Sequence, residues 1–187
     1  EANRDVPLKE REKRPPAARS FRYKKRRYLK MKELLFFDRC FWCLEDFFSH
    51  MEGVLATEVG YANGNPDLVP AYYEVGKGNT GYEEVCRVFF DEERVSVHTL
   101  CTAFFRRLNP ARRYTEEEKV LRENQSKVLF VDYADREAVI CAKEAVEAQY
   151  QNKLLTQVEP LSIYYRAEEE HQHYFARHPE EAACAVR

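Results

Sequence analysis

The chain has 187 residues, 44% of them hydrophobic and 33% charged, with a formal net charge of -2. That composition suits one soluble globular domain with its own core plus some sequence outside it. With no run of about 18 apolar residues, it excludes a membrane span. The near-zero balance hides an asymmetry: residues 1–32 carry 13 Lys/Arg against 4 Asp/Glu, and residues 33–187 carry 17 against 28.

Taken in chain order, residues 1–30 form a basic, apolar-poor stretch from Arg11 through Lys24-Lys25-Arg26-Arg27. It reads as a disordered or loosely packed arm or linker. A nucleic-acid or anionic-surface arm is the rival reading. A transit peptide is weaker still, because the arm holds acidic residues and only one serine, Ser20.

Residues Glu33 to Phe37 read as a short buried strand. Phe41, Leu44, Phe47 and Phe48 then recur at helical spacing through Met51. Val54 to Tyr61 alternates as a strand, and Asn63-Gly64-Asn65-Pro66 is a turn by composition. Glu84 to Phe90 is a second alternating run. Ser96 is placed to cap a helix ending at Arg107, and Lys127 to Val131 is a third strand. Asp135 is expected to cap a helix running to Gln149, with alanines along one side. Val158 to Tyr165 reads as a fourth strand, an edge because Pro160 interrupts it, and a short helix follows from Glu168. The order predicts an α+β two-layer sandwich, a mixed β-sheet packed with helices around a ferredoxin-like core.

Six cysteines fall at 40, 43, 86, 101, 141 and 184. Cys86, Cys101 and Cys141 lie in apolar patterns and read as buried free thiols, which points to a reducing compartment, the cytoplasm. Cys40, Cys43 and Cys184 remain as redox candidates. Cys40 sits where a strand hands over to a helix, at the positive end of the helix dipole, which favours a thiolate. Three readings of Cys40-Phe41-Trp42-Cys43 stay open on these residues alone. One is a metal site completed by His171 and His173, which lacks the second cysteine pair of a structural zinc site. Another is a thioredoxin-like dithiol, for which Phe-Trp is a bulky insert. The third is a single nucleophile, Cys40, with Phe41 and Trp42 holding an apolar group beside its sulfur.

Several motifs in one collinear order bear on that choice: Cys40-Phe41-Trp42-Cys43-Leu44-Glu45, Gly53-Val54-x-x-Thr57-x-Val59-Gly60-Tyr61-Ala62, Pro70-Ala71-Tyr72-Tyr73-Glu74-Val75, Gly78-Asn79-Thr80-Gly81-Tyr82-Glu83-Glu84 and Tyr165-x-Ala167-Glu168-x-x-His171-Gln172-x-Tyr174. Over residues 31–184 the chain resembles the peptide methionine-S-sulfoxide reductase family, the MsrA type. The resemblance implies an enzyme in which Cys40 attacks the sulfoxide sulfur. Glu84, kept protonated by burial, and Tyr72 then hydrogen-bond the oxygen, while Phe41 and Trp42 hold the S-methyl group. It also implies Cys184, a few residues after His178-Pro179, as the thiol that resolves the Cys40 sulfenic acid, with Cys43 as runner-up. Thioredoxin is the implied reductant, and oxidised methionine, free or in proteins, the substrate. A monomer without metal or cofactor, with neither membrane nor nucleic acid as partner, completes the expectation.

Three departures from the family pattern stand out. Asp38-Arg39 replaces a Gly-Gly pair before the nucleophile, where Arg39 either crowds the site or lowers the thiol pKa. The segment 111–126 lacks the family's glycine-rich loop, places Lys119 and Asn124 where an Asp and a Tyr are usual, and favours helix through Thr115 and Glu118. Tyr114 is the one aromatic there and the candidate substitute for the missing Tyr. Tyr82 stands in place of a His and is expected to tune the pocket, while His171 and His173 are expected to serve the last helix structurally. A weakly active or inactive reductase-like protein that binds Met-rich or oxidised segments is the alternative from another class.

Overall fold

Leu34, Leu35 and Phe36 are all fully buried, which a strand achieves only at the centre of a sheet covered on both faces. The computed structural model describes residues 31–117, 119 and 126–185. In it that strand, β1 (Met31–Asp38), is flanked by β3 (Glu83–Asp91) and β4 (Ser126–Phe130), both antiparallel to it. β2 (Val54–Ala62) pairs with β3, and two short strands close the edges: β5 (Gln157–Pro160), parallel to β4, and β6 (Tyr164–Arg166), antiparallel to β2. The order is β5-β4-β1-β3-β2-β6, a mixed sheet whose inner four strands follow the ferredoxin-like order.

Period-two alternation divides the sheet. Leu34, Phe36, Cys86, Val88, Phe90, Val128 and Phe130 share one face and meet the helices α1 (Phe41–Ser49), α3 (Val97–Arg107) and α4 (Arg136–Tyr150). There Phe36 stacks on Phe48 with ring centroids 4.3 Å apart and lies 5.0 Å from Phe104. The opposite face carries Leu35, Val85 and Leu129 under Leu161 and Tyr164. This is the two-layer α+β arrangement expected from the order of elements. A short helix that the sequence reading did not foresee, α2 (Tyr72–Gly76), sits between β2 and β3. Among the described residues no helix is long and apolar enough to cross a membrane.

Ser96 caps α3 as expected, its hydroxyl accepting from the Thr99 N–H at 3.1 Å. Asp135 does not cap α4 with its side chain. A 3-10 turn, Tyr133–Asp135, precedes the helix and is capped by Asp132, which accepts from the Ala134 N–H at 2.9 Å. The buried Asp135 carboxylate instead takes the Lys32 ammonium at 2.6 Å, since a buried carboxylate needs a charged partner more than a helix start with a cap already in place needs a second one. The expected single strand from Val158 to Tyr165 is two strands on opposite edges. Leu161 to Ile163 cross the sheet between them, pinned by the Asn63 side chain to Ser162 N (2.8 Å) and to the Pro160 carbonyl (3.0 Å). The Pro160 break is thus a change of edge.

After His171 the chain makes α5 (Tyr174–Arg177) and α6 (Pro179–Ala185). The expected arm at residues 1–30 and Asn124 lie outside the described residues.

Candidate active site

Cys40 is the N-cap of α1, with extended backbone (φ -140, ψ 107) and its Sγ accepting from the Cys43 N–H at 3.4 Å. A sulfur therefore occupies the position where a Ser or Asp oxygen usually meets the free N–H groups of a first turn. Its pKa is lowered to about 7, first by the hydrogen bond from the Cys43 thiol and then by the Cys43 and Trp42 backbone donors, against opposing effects of burial and of Glu84. The Cys43 thiol is pushed up, chiefly because it donates to Cys40 and further because it is buried. The pair is thus unequal: Cys40 carries the negative charge and Cys43 the proton.

The residues before the nucleophile behave differently from the glycines they replace. Asp38 pairs with Arg107 at 2.9 Å and ties the end of β1 to the last turn of α3. Arg39 points to solvent, and the leading influences that depress the thiol belong to Cys43 and Trp42.

Aromatic rings converge on Cys40. Phe41, 1% exposed, is the floor, with Tyr61, Trp42, Tyr72 and His171 all between 5.6 and 6.2 Å from its centroid. Trp42 stacks on Tyr174 at 4.3 Å and on Tyr72 at 5.8 Å, and Tyr72 lies on His171 at 4.3 Å. The Trp42 Nε1 and His171 Nδ1 atoms are buried without a hydrogen-bond partner among the described residues.

Strand alternation separates the two neighbouring glutamates of β3. Glu83 takes Lys127 at 2.8 Å, whereas Glu84 pairs across to Tyr61 on β2 and turns to the helix side. Burial raises the Glu84 pKa, and its charge in turn raises the pKa of Cys40, Tyr72 and Tyr61. The fold therefore brings Cys40, Phe41, Trp42, Tyr72 and Glu84 into one site. Cys184 lies on α6, and its side chain is outside the described set.

What holds the site together has no role assigned from sequence, although Glu45 stands in the first motif and Glu168 and Gln172 in the last. Glu168 accepts the Tyr61 hydroxyl at 2.6 Å with one oxygen and the Tyr72 backbone N–H at 3.1 Å with the other. Burial opposes its charge, but these donors win and hold its pKa down. Gln172, 2% exposed, accepts from the Val59 N–H at 3.0 Å and donates to the Val59 carbonyl at 2.9 Å. Glu45, also 2% exposed, accepts the His173 N–H at 2.7 Å and so joins α1 to the C-terminal segment.

Of the two histidines expected to serve the last helix structurally, His173 does so as the N-cap of α5, its carbonyl accepting the Arg177 N–H at 3.2 Å, and His171 stands ahead of it. His171 closes a 3-10 turn, Glu169–His171, against Tyr72. His173 adopts a left-handed conformation (φ 51) with its ring Nδ1 at 3.2 Å from Glu45. The metal set weighed from sequence is not assembled among the described residues, because the two histidines go to different partners. Tyr82 acts below the pocket: it is buried, donates to the Leu68 carbonyl at 3.2 Å, and packs so closely on Gly64 that a Cβ there would lie 2.1 Å from its ring. Tyr114 lies under the Arg112 guanidinium at 4.9 Å, outside the aromatic enclosure. Lys119 forms an ion pair with Glu116 in the short helical turn that Thr115 begins.

Comparison with known proteins bears on this site. The family model for peptide methionine sulfoxide reductase matches residues 32–187. Over 149 residues the chain is 36% identical to the peptide methionine sulfoxide reductase MsrA of Clostridium perfringens and 33% identical to that of Alkaliphilus metalliredigens, covering 80% of this chain and 94% of each relative. Among solved structures, reduced Mxr1 of Saccharomyces cerevisiae aligns with TM-score 0.66 at 25% identity, over 81% of this chain and 88% of that one. Methionine sulfoxide reductase A of Corynebacterium diphtheriae aligns with TM-score 0.62 at 25% identity, over 80% and 76%. The complex of Mxr1 with Trx2 aligns at 0.52 with 22% identity, over 78% and 86%, a likeness of fold. With a family model spanning the folded domain and relatives above 30% identity over most of its length, this chain belongs to the peptide methionine sulfoxide reductase family.

Proposed function

We propose that the chain reduces methionine sulfoxide of S configuration, free or in proteins, to methionine. The observation that carries this reading is the depressed Cys40 thiol sharing an aromatic enclosure with a carboxyl, Glu84, whose pKa burial raises. The Cys40 thiolate attacks the sulfoxide sulfur. Glu84 delivers a proton to the departing oxygen and the Tyr72 hydroxyl hydrogen-bonds it, so charge does not build up on that oxygen as the sulfur–oxygen bond breaks. Oxygen passes to Cys40, methionine leaves, and a sulfenic acid remains. A second thiol, Cys184 by the family pattern, condenses with it to a disulfide and water. A dithiol reductant, thioredoxin, returns both cysteines to thiols. The Trx2 complex of the yeast relative supports that choice of reductant.

The start of the family match at residue 32 supports reading residues 1–30 as an arm outside the catalytic domain. We place the enzyme in a reducing compartment and as a monomer. The binding-protein alternative is weaker, because nucleophile, acid and aromatic enclosure stand together.

Incubation with a racemic methyl sulfoxide and dithiothreitol, followed by chiral chromatography, tests the reading. Loss of the S form with the purified protein, and none with Cys40→Ser, is expected. An unchanged S form, or equal loss with both proteins, overturns it.

A further inference from the structure

The helix that begins at Cys40 meets the C-terminal segment with two side chains, Trp42 and Glu45, whose spacing puts them on one face of α1. They hold consecutive residues of that segment. Glu45 accepts the His173 N–H at 2.7 Å, and Trp42 stacks on the Tyr174 ring with centroids 4.3 Å apart and planes 17° from parallel. The turn at residue 173 therefore decides where Tyr174 lies against Trp42.

That turn is held from both ends. His173 is left-handed (φ 51, ψ 41), a conformation that a residue with a Cβ keeps only where its surroundings impose it. Its N–H goes to Glu45, its carbonyl accepts the Arg177 N–H at 3.2 Å, and its ring Nδ1 lies 3.2 Å from the other Glu45 oxygen. Glu45 is 2% exposed and also accepts from the Thr57 hydroxyl of β2 at 3.5 Å. A leucine would fill this place without the desolvation that a buried carboxylate suffers. What the carboxylate adds is a fixed acceptor for one backbone N–H, and that N–H belongs to the residue before Tyr174.

Resting on the reductase reading above, we propose that Glu45 is a positioning residue for substrate selection: through the turn at His173 it sets how Tyr174 lies on Trp42, and so the width of the apolar slot for the sulfoxide's S-alkyl group. Glu45 touches neither the substrate nor the reacting sulfur. One methylene too many for an apolar slot costs an enzyme about 10-fold or more in kcat/KM, so a slot with a fixed wall favours S-methyl over S-ethyl. A wall free to move loses that preference. The attack by Cys40 continues, because its sulfur takes the Cys43 N–H in the first turn of α1, away from the C-terminal segment.

The S-sulfoxides of methionine and ethionine, which differ by one methylene, test this with dithiothreitol as reductant. The unaltered protein is expected to prefer the methyl compound by about 10-fold or more in kcat/KM. Glu45→Leu is expected to cut that preference by about threefold or more, with a raised KM for the methyl compound. Glu45→Gln, which keeps an oxygen for the His173 N–H, is expected to retain it. The exposed His173 gives a second pair. His173→Val opposes the left-handed turn and is expected to behave as Glu45→Leu; His173→Gly accepts the turn, keeps the N–H and is expected to behave as Glu45→Gln. In every variant the pH midpoint of Cys40 alkylation is expected to stay in place. Where Glu45→Leu does not fold, the His173 pair decides alone. Equal kcat/KM for the two compounds in the unaltered protein overturns the proposal, as does a methyl preference that survives both Glu45→Leu and His173→Val. Its loss together with a shifted alkylation midpoint assigns Glu45 to the general integrity of α1 and overturns the proposal too. No turnover of methionine S-sulfoxide by the unaltered protein is a failure of the reductase reading instead.

Discussion

Gln172 and Val59 are joined at two points, the Gln172 carboxamide accepting from the Val59 N–H at 3.0 Å and donating to its carbonyl at 2.9 Å. A side chain thus does for the Val59 N–H what a neighbouring strand's peptide would do, one residue past the β2–β6 pairing, where the carbonyl also takes the Ala167 N–H at 3.0 Å. Gln172→Leu keeps similar bulk but leaves the Val59 N–H buried and unpaired, while the Val59 carbonyl keeps the Ala167 N–H at 3.0 Å. We expect a loss of about 1–3 kcal/mol, read as a lower urea midpoint with unchanged slope. A change below about 0.5 kcal/mol contradicts this account of Gln172.

The unequal ionisation of Cys40 and Cys43 predicts selective alkylation. Iodoacetamide labelling followed by peptide mass spectrometry is expected to modify Cys40 with a midpoint near pH 7, because its pKa is lowered to about 7. Cys43, whose pKa is raised, reacts only at much higher pH. Cys43→Ala removes the leading donor to the thiolate and shifts the Cys40 midpoint upward. A midpoint that stays put denies Cys43 its role as donor.

In the proposed mechanism turnover needs Cys40 without its proton and Glu84 with one. The rate therefore rises with pH as the thiolate forms and falls as the carboxyl, with its raised pKa, ionises. The profile is a bell whose limbs belong to the interacting pair. Glu84→Gln removes the proton donor, lowers kcat about 100-fold and abolishes the alkaline limb. Retention of both limbs in that variant assigns the acid to another residue.

Much of the fold was legible because its signals are local. Alternation in residues 84–90, the Ser96 cap and the helical spacing after Phe41 each declare themselves within a dozen residues. Cys40, Trp42, Tyr72 and Glu84 were legible through motifs. Gln172, Glu168 and Glu45 stand in the motifs without a role, because their partners lie at sequence separations of 113, 107 and 128. Nothing near Asp135 in sequence shows that Lys32 claims its carboxylate. Pro160 marked a break, but the direction taken afterwards depends on Asn63.

The resolving thiol is separable by reductant. With thioredoxin, Cys184→Ser is expected to lose multiple turnover while keeping it with dithiothreitol, and Cys43→Ser is expected to keep both. The reverse pattern makes Cys43 the resolver.

The pocket has its nucleophile near the start of the folded domain and its supports near the end. A ribosome that has reached Pro160 has already released Cys40, Trp42, Tyr72 and Glu84, but not Glu168, His171, Gln172 or Tyr174. Until those arrive, Tyr72 has no carboxylate behind its backbone, Trp42 has no ring to stack against on its outer side, and β2 lacks its clamp. Competence is therefore a property of the finished polypeptide. A premature stop before Glu168 yields a chain with its cysteine and none of these supports, rather than a slower version of the enzyme.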